Sequence, residues 1–173
     1  MNHDSYSDDT IRSILTGVSR IAMVGASANT ARPSYFVLKY LSERGFAMLP
    51  INPGLAGGAI LGLPVHARLA DAPGPIDMVD IFRNSEAAGA VVDEALALDP
   101  LPGAVWMQLG VRNDAAAARA EAAGLQVVMN RCPKIEYGRL SGEIRWSGVN
   151  SRIISARKPI AGPGFQRLTI PRR

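Results

Sequence analysis

Five short clusters carry the chemistry open to this chain: Gly25-Ala26-Ser27, Asn52-Pro53, Phe82-Arg83-Asn84-Ser85, Gln108-Leu109-Gly110 and Asn130-Arg131-Cys132-Pro133. Each follows an apolar run of strand length. The first cluster suits a phosphate. Gly25 removes a side chain where backbone must come close to an anion, Ala26 is nearly as permissive, and the Ser27 hydroxyl can donate. Pro33 and Ser34 stand where a helix begins, so free N–H groups and a positive dipole end point back toward the same turn. The alternative is a tight strand-to-helix turn without a ligand.

Other chemistries find less support. The pattern G-x-G-x-x-G fails, because Ser27 and Thr30 stand at its second and third glycines. No Gly-Lys-Ser/Thr occurs, which excludes a Walker loop. A site for NAD usually places an acid after the second strand to grip the ribose hydroxyls, and here that place holds Asn52 and Pro53. An acid would repel a phosphate on that ribose; Asn52 would not, and Arg32 or Lys39 can add positive charge. The residues therefore point to an adenine nucleotide carrying an extra phosphate. There is no clustered Cys/His set for a metal and no Ser-His-acid motif. Asp80 and Glu136 are acid/base candidates, with structural roles favoured for both.

The elements that must position these clusters alternate along the chain. A lead helix is expected over 10–18, with Asp8 or Asp9 as its cap and Ile11, Ile14 and Leu15 on one face. Arg20–Val24 reads as a buried strand stopped by Gly25, and Ser34–Arg44 as a helix ended by Gly45. Strands follow at 46–51, 78–82, 104–109 and 126–129. Between them lie a glycine-rich loop at 54–64, a short element at 65–69, a helix at 85–98 capped by Ser85, and an alanine-rich helix to Ala123 capped by Asn113 or Asp114. Residues 134–139 read as one helical turn. This alternation predicts an α/β fold: a Rossmann-like doubly wound parallel sheet of about five strands with helices on both faces. Ligands then bind at the carboxyl ends of the strands, where the five clusters fall.

Bulk properties agree with a single domain. The chain has 173 residues, of which 47% are hydrophobic and 20% charged. The polar, acidic N-terminus lacks the basic and apolar regions of a signal peptide, and no apolar run approaches the roughly 20 residues of a membrane span. A cytoplasmic protein is expected, in keeping with one cysteine. The net charge of +4 is uneven: residues 1–140 hold 12 basic and 14 acidic side chains, whereas 141–173 hold seven basic ones and only Glu143. The basic tail lacks interleaved aromatics, so nucleic acid is disfavoured as a partner. The expected divisions are a flexible start at 1–9, the nucleotide-binding domain at 10–157 and a basic extension at 158–173.

Read together, Val24-Gly25-Ala26-Ser27, Arg32-Pro33-Ser34-Tyr35, Pro50-Ile51-Asn52-Pro53, Gly62-Leu63-Pro64-Val65, Asp77–Ser85, Trp106–Gly110 and Asn130–Gly138 resemble the bacterial CoA-binding domain proteins. Those stand-alone proteins are similar to the N-terminal domain of the succinyl-CoA synthetase α-subunit. The resemblance spans about residues 10–157 and implies coenzyme A, or an acyl-CoA, in a Rossmann-like cleft. On that footing Gly25, Ala26 and Ser27 hold the pyrophosphate, with Arg32 and Pro33 beside them. Asn52 and Pro53 lie next to the adenosine. Phe82, Arg83 and Ser85 line the path of the nucleotide or its arm. Gln108 and Gly110 border the cleft, and Asn130, Arg131 and Cys132 close it. Arg83 is the phosphate partner of choice, against an alternative of pairing with Asp80 or Glu86. Cys132 could meet the ligand thiol if its pKa were lowered, but an inert buried cysteine is favoured.

Neither His3 nor His66 matches a phosphohistidine motif, so the ligase activity is not carried over and no autonomous catalysis is expected. A redox protein using NAD(P) or FAD, and a subunit of an acyl-CoA ligase assembly, are the alternative readings. A homo-oligomer or a partner chain stays open.

Overall fold

A computed structural model describes residues 2–142. Helix α1 (Asp8–Gly17) leads into strand β1 (Arg20–Val24), helix α2 (Pro33–Glu43) and strand β2 (Ala47–Ile51). After a loop come the two-residue strands β3 (Ala59–Ile60) and β4 (Leu63–Pro64), then β5 (Met78–Ile81) and α3 (Ser85–Leu96). Strand β6 (Ala104–Met107), helix α4 (Asp114–Ala122), strand β7 (Gln126–Val128) and helix α5 (Pro133–Ser141) complete the described chain.

Five strands form one sheet in the order β2-β1-β5-β6-β7, and every pair is parallel. The chain leaves β1 for β2 on one side and crosses back to β5 on the other. The switch point of this doubly wound fold is therefore the gap between the carboxyl ends of β1 and β5.

Alternation along the strands builds two cores. Ile21, Met23, Met48, Met78, Trp106 and Val128 meet Ile11, Ile14 and Leu15 of α1, Val37, Leu38 and Leu41 of α2 and Tyr137 of α5. Ala22, Val24, Leu49, Val79, Val105 and Val127 meet Val91 and Val92 of α3 and Ala116, Ala117 and Ala120 of α4. Strands buried on both faces need no polar alternation, which is why they read in the sequence as continuous apolar runs.

Local signals set most element ends, with some differences from expectation. Ser7, not Asp8 or Asp9, caps α1 by accepting the Thr10 N–H at 3.1 Å. Asn84, not Ser85, caps α3 by accepting the Ala87 N–H at 2.8 Å, and α3 stops at Leu96. Asn113 caps α4. The glycine-rich loop contains the β3–β4 hairpin, whose turn residues Leu61 and Gly62 both have positive φ (54° and 77°). That handedness matches a two-residue hairpin and tolerates glycine far better than leucine. The expected single turn at 134–139 is a longer helix, α5, started by Pro133 and ended by Gly142 in the left-handed region.

The N-terminal segment makes specific contacts. The Tyr6 hydroxyl accepts the Met129 N–H at 2.7 Å at the end of β7, and Asp4 pairs with Arg112 at 2.7 Å. The expected tail boundary at residue 157 and the extension at 158–173 lie outside the described residues.

At the opposite edge, one side chain latches the start of the sheet. Asp77 Oδ2 accepts the N–H groups of both Ser19 and Arg20 at 2.8 Å. It ties the first residues of β1 to the entry of β5. Asp77→Ala is expected to lower stability by about 2 kcal/mol, since two backbone donors lose a charged acceptor; urea unfolding measures it, with the m-value unchanged.

Candidate functional site

The carboxyl ends of β2, β1 and β5 are bound together by backbone and by one asparagine. Gly25 N–H donates to Ile51 O at 2.9 Å, and Phe82 N–H donates to Val24 O at 2.8 Å. Asn52 Nδ2 donates to Ala26 O at 2.7 Å, while its Oδ1 accepts the Gly54 N–H at 2.9 Å. Both ends of the Asn52 amide are therefore used on backbone. Its role is to clamp the first turn against the second strand, and the site gains no acidic group there.

Gly25 is required twice over. Its φ is +89°, and a Cβ built on it would stand 2.4 Å from the Phe82 carbonyl oxygen. No real Cβ makes so short a contact with backbone, so only glycine lets the β1 turn touch the residue after β5. The same Cβ would lie 3.2 Å from Arg83 Cδ, which places the Arg83 side chain over the turn. Among the described residues Arg83 makes no ion pair with Asp80 or Glu86, and its side chain is exposed. It stands as a cation beside a strand-to-helix turn.

The turn itself is partly self-satisfied. Ser27 Oγ accepts the Asn29 N–H at 3.1 Å, and Asn29 Oδ1 accepts the Ala31 N–H at 2.9 Å. The Ser27 hydroxyl proton stays available to an outside acceptor. Arg32 occupies the cap position of α2 without a side-chain capping bond, Pro33 begins that helix, and both are exposed. Pro53 opens a short 3-10 turn capped by Asn52.

The remaining residues lie at the ends of β5, β6 and β7. Gly110 (φ +77°) donates its N–H to Asn130 Oδ1 at 2.8 Å, and Asn130 is itself left-handed at φ +54°. Asparagine tolerates that conformation, so the pair locks two loops together. Ser85 lies elsewhere: its Oγ accepts the Arg112 N–H at 3.0 Å, in the loop before α4. Arg131 is engaged by its own neighbourhood. Its Nε lies 3.7 Å from Glu136 Oε1, and its guanidinium sits 5.7 Å from the centre of the Tyr6 ring. Glu136, an acid/base candidate from the sequence, is buried and bonded to Arg139 at 2.8 Å, a structural role.

Sequence reasoning missed the relation between Asp80 and Gln108. Asp80 is fully buried on β5, and Gln108 Nε2 donates to its two oxygens at 2.9 and 3.2 Å. Burial pushes the Asp80 carboxyl up to about 8, with the Gln108 bond acting in the other direction. An acid within an apolar strand was the available signal. Cys132 is buried at the start of α5. Burial pushes its thiol up to about 11; the charge of Asp80 adds to this, and the N–H groups of Ile135 and Lys134 oppose it. The lowered pKa that reactivity would need is not provided. His66 extends the sheet edge: its O accepts the Asn52 N–H at 2.9 Å, and it bridges Ile51 in parallel.

Three comparisons bear on this arrangement. A family model described as "CoA binding domain" matches residues 19–138. An uncharacterized protein of Bacillus subtilis, YneT, is 34% identical over 127 residues, which cover 73% of this chain and 91% of that protein. Among solved structures, Prb, a protein redesigned for binding, is 37% identical with a TM-score of 0.75, over 80% of this chain and 95% of that one. A Thermus thermophilus protein is 36% identical with a TM-score of 0.73, over 78% of this chain and 99% of that one.

Two outcomes are expected from the geometry. Gly25→Ala should lower stability by about 3 kcal/mol, combining a left-handed alanine with a backbone clash; chemical denaturation measures it. The buried acid gives a pH signature. Its carboxyl keeps a proton in the folded state up to about 8, whereas the unfolded chain loses it near the ordinary carboxylate value of about 4. Stability should therefore fall as pH rises from about 4 to about 8 and level off above that range. Asp80→Asn should abolish this part of the profile, read as the difference between the two unfolding curves.

Proposed function

The chain belongs to the CoA binding domain family, and from that premise we propose that it binds coenzyme A, free or acylated, across the carboxyl ends of β1, β2 and β5 and performs no chemistry on it alone. The observation that supports this most is the Gly25 turn at the switch point, crossed by an exposed arginine with no protein partner among the described residues. In this reading the pyrophosphate lies on Gly25, Ala26 and Ser27 at the start of α2, where backbone donors and a helix end favour an anion. Arg83 supplies a forked, permanently charged partner for phosphate oxygens, and Arg32 adds a second positive charge. The adenosine lies by Asn52 and Pro53. The pantetheine arm runs past Phe82 toward Gln108, Gly110 and the loop Asn130-Arg131-Cys132.

Two features weigh against an NAD-dependent redox protein. The edge strand ends in an amide already used on Ala26 and Gly54, so it offers no acid for ribose hydroxyls. The glycines of the dinucleotide pattern are replaced by Ser27 and Thr30. An assembly with a separate catalytic chain is compatible with the same cleft, because such a chain would bring its own reacting groups.

Titration calorimetry with coenzyme A, dephospho-coenzyme A, NAD and FAD tests the proposal. Coenzyme A should bind more tightly than its dephospho form, and Arg83→Ala should weaken it about tenfold, the size of one charge-assisted hydrogen bond. Clear heat with NAD and none with coenzyme A would overturn it. An Arg83→Ala protein with unchanged affinity would remove Arg83 from the site.

A further inference from the structure

The residues ahead of α1, from His3 to Tyr6, and the first residue of that helix, Asp8, reach elements far away in sequence. The Tyr6 hydroxyl accepts the Met129 N–H at 2.7 Å, and the Tyr6 ring lies 5.7 Å from the Arg131 guanidinium. Tyr6 therefore grips the residue on each side of Asn130. Burial raises the Tyr6 hydroxyl above its ordinary value, so it keeps its proton. That proton can go to His3 Nδ1 at 2.9 Å, because Met129 is the donor in the other bond. His3 Nε2 lies 3.4 Å from Glu121 of α4, and the His3 side chain is 8% exposed. Asp4 pairs with Arg112, in the loop after β6, and Asp8 with Arg139 of α5, both at 2.7 Å.

The loop that Tyr6 grips is held from within by the sheet. Asn130 N–H donates to Val111 O at 3.1 Å, and Asn130 Oδ1 accepts the Gly110 N–H at 2.8 Å. The Trp106 indole N–H donates to the Arg131 carbonyl at 2.8 Å. On the outside the loop meets Tyr6, while Glu136 stands 3.7 Å from Arg131 Nε. Asn130 thus keeps its left-handed φ of +54° between an inner and an outer support.

The outer support is lightly attached. The Asp4 side chain is 77% exposed, and Arg112 keeps Asp114 as a second partner at 2.8 Å. Exposed ion pairs contribute little to stability. A segment fixed by a few such bonds opens locally at a fraction of the cost of unfolding. Tyr6 is half-buried against the core, so its two contacts carry the attachment.

We infer, on the coenzyme A reading above, that residues 3–8 form a strap that regulates the cleft, with Tyr6 as the positioning residue that couples strap to ligand. A docked strap sets the geometry of Asn130 and Arg131, and its release lowers affinity for coenzyme A. By reciprocity, bound coenzyme A keeps the strap docked.

The test uses the full chain and two readouts. Tyr6→Phe keeps the ring over Arg131 and removes the acceptor for the Met129 N–H. Calorimetry should show coenzyme A bound about fivefold more weakly, the worth of one neutral hydrogen bond. His3→Ala leaves that bond in place but frees the strap from Glu121, and should give a smaller loss. The double variant should lose no more than Tyr6→Phe alone, since both act through one hydroxyl. In the wild-type protein, saturating coenzyme A should slow hydrogen exchange at the Met129 amide. The Ser19 amide, held by Asp77 at the opposite edge, should not respond. A purely structural Tyr6 would change unfolding by urea and neither readout. Should Tyr6→Phe fail to fold, the exchange measurement on the wild-type protein decides. Unchanged affinity in Tyr6→Phe, additive losses in the double variant, or Met129 exchange indifferent to the ligand would overturn the inference and leave the coenzyme A reading intact. A wild-type protein that binds no coenzyme A would overturn both.

Discussion

The contact between Gly25 and the Phe82 carbonyl is the constraint on which the candidate site depends. At 2.4 Å from a hypothetical Cβ, the two chains are closer than any residue with a side chain permits. This contact lies at the switch point of the β2-β1-β5-β6-β7 sheet, where β1 leads to α2 on one face and its neighbour β5 leads to α3 on the other. Closing it brings the turn after β1 and the arginine after β5 within reach of one ligand group. Widening it by a methyl group would separate the two.

Much of the polar chemistry at this edge serves the protein's own backbone. Asn52 joins Ala26 to Gly54, Asn130 holds Gly110, Ser85 holds Arg112, and Asn84 caps α3. These bonds fix loops that no hydrogen-bonded ladder supports, which is how loops achieve the precision a binding site needs. Among the described residues, the groups left over at this edge include the Arg83 guanidinium and the Ser27 hydroxyl proton.

Beneath that edge lies a less ordinary arrangement. The Asp80 carboxyl group sits in the sheet with no cation paired to it among the described residues, held to one amide, with the buried Cys132 thiol close enough for its charge to be felt. Both Asp80 and Cys132 resist ionisation for the same reason, removal from water. The thiol is thereby kept unreactive. The carboxyl group ties the end of β6 to β5 through the Gln108 amide.

The class of fold, and the edge of the sheet that carries the polar clusters, are written in the order of residues. Five apolar runs broken by glycine and polar clusters encode buried parallel strands, since strands covered on both faces need no polar alternation. The glycine at 25, the proline at 33 and the lack of an acid at 52 were legible because each acts through its own backbone or charge. Element ends were less so: Ser7 and Asn84 outcompeted nearby caps of similar chemistry, and the short β3–β4 hairpin hid among glycines. Which polar side chains are taken up by the protein's own groups depends on how the elements pack. Asn52, Ser85 and Arg131 look like ligand residues in one dimension, yet each finds a protein partner in three. Asp80 and Gln108 stand 28 residues apart and give no local signal of their bond. That pairing exists because β5 and β6 lie side by side, and register between strands is a property of the assembled sheet rather than of either segment.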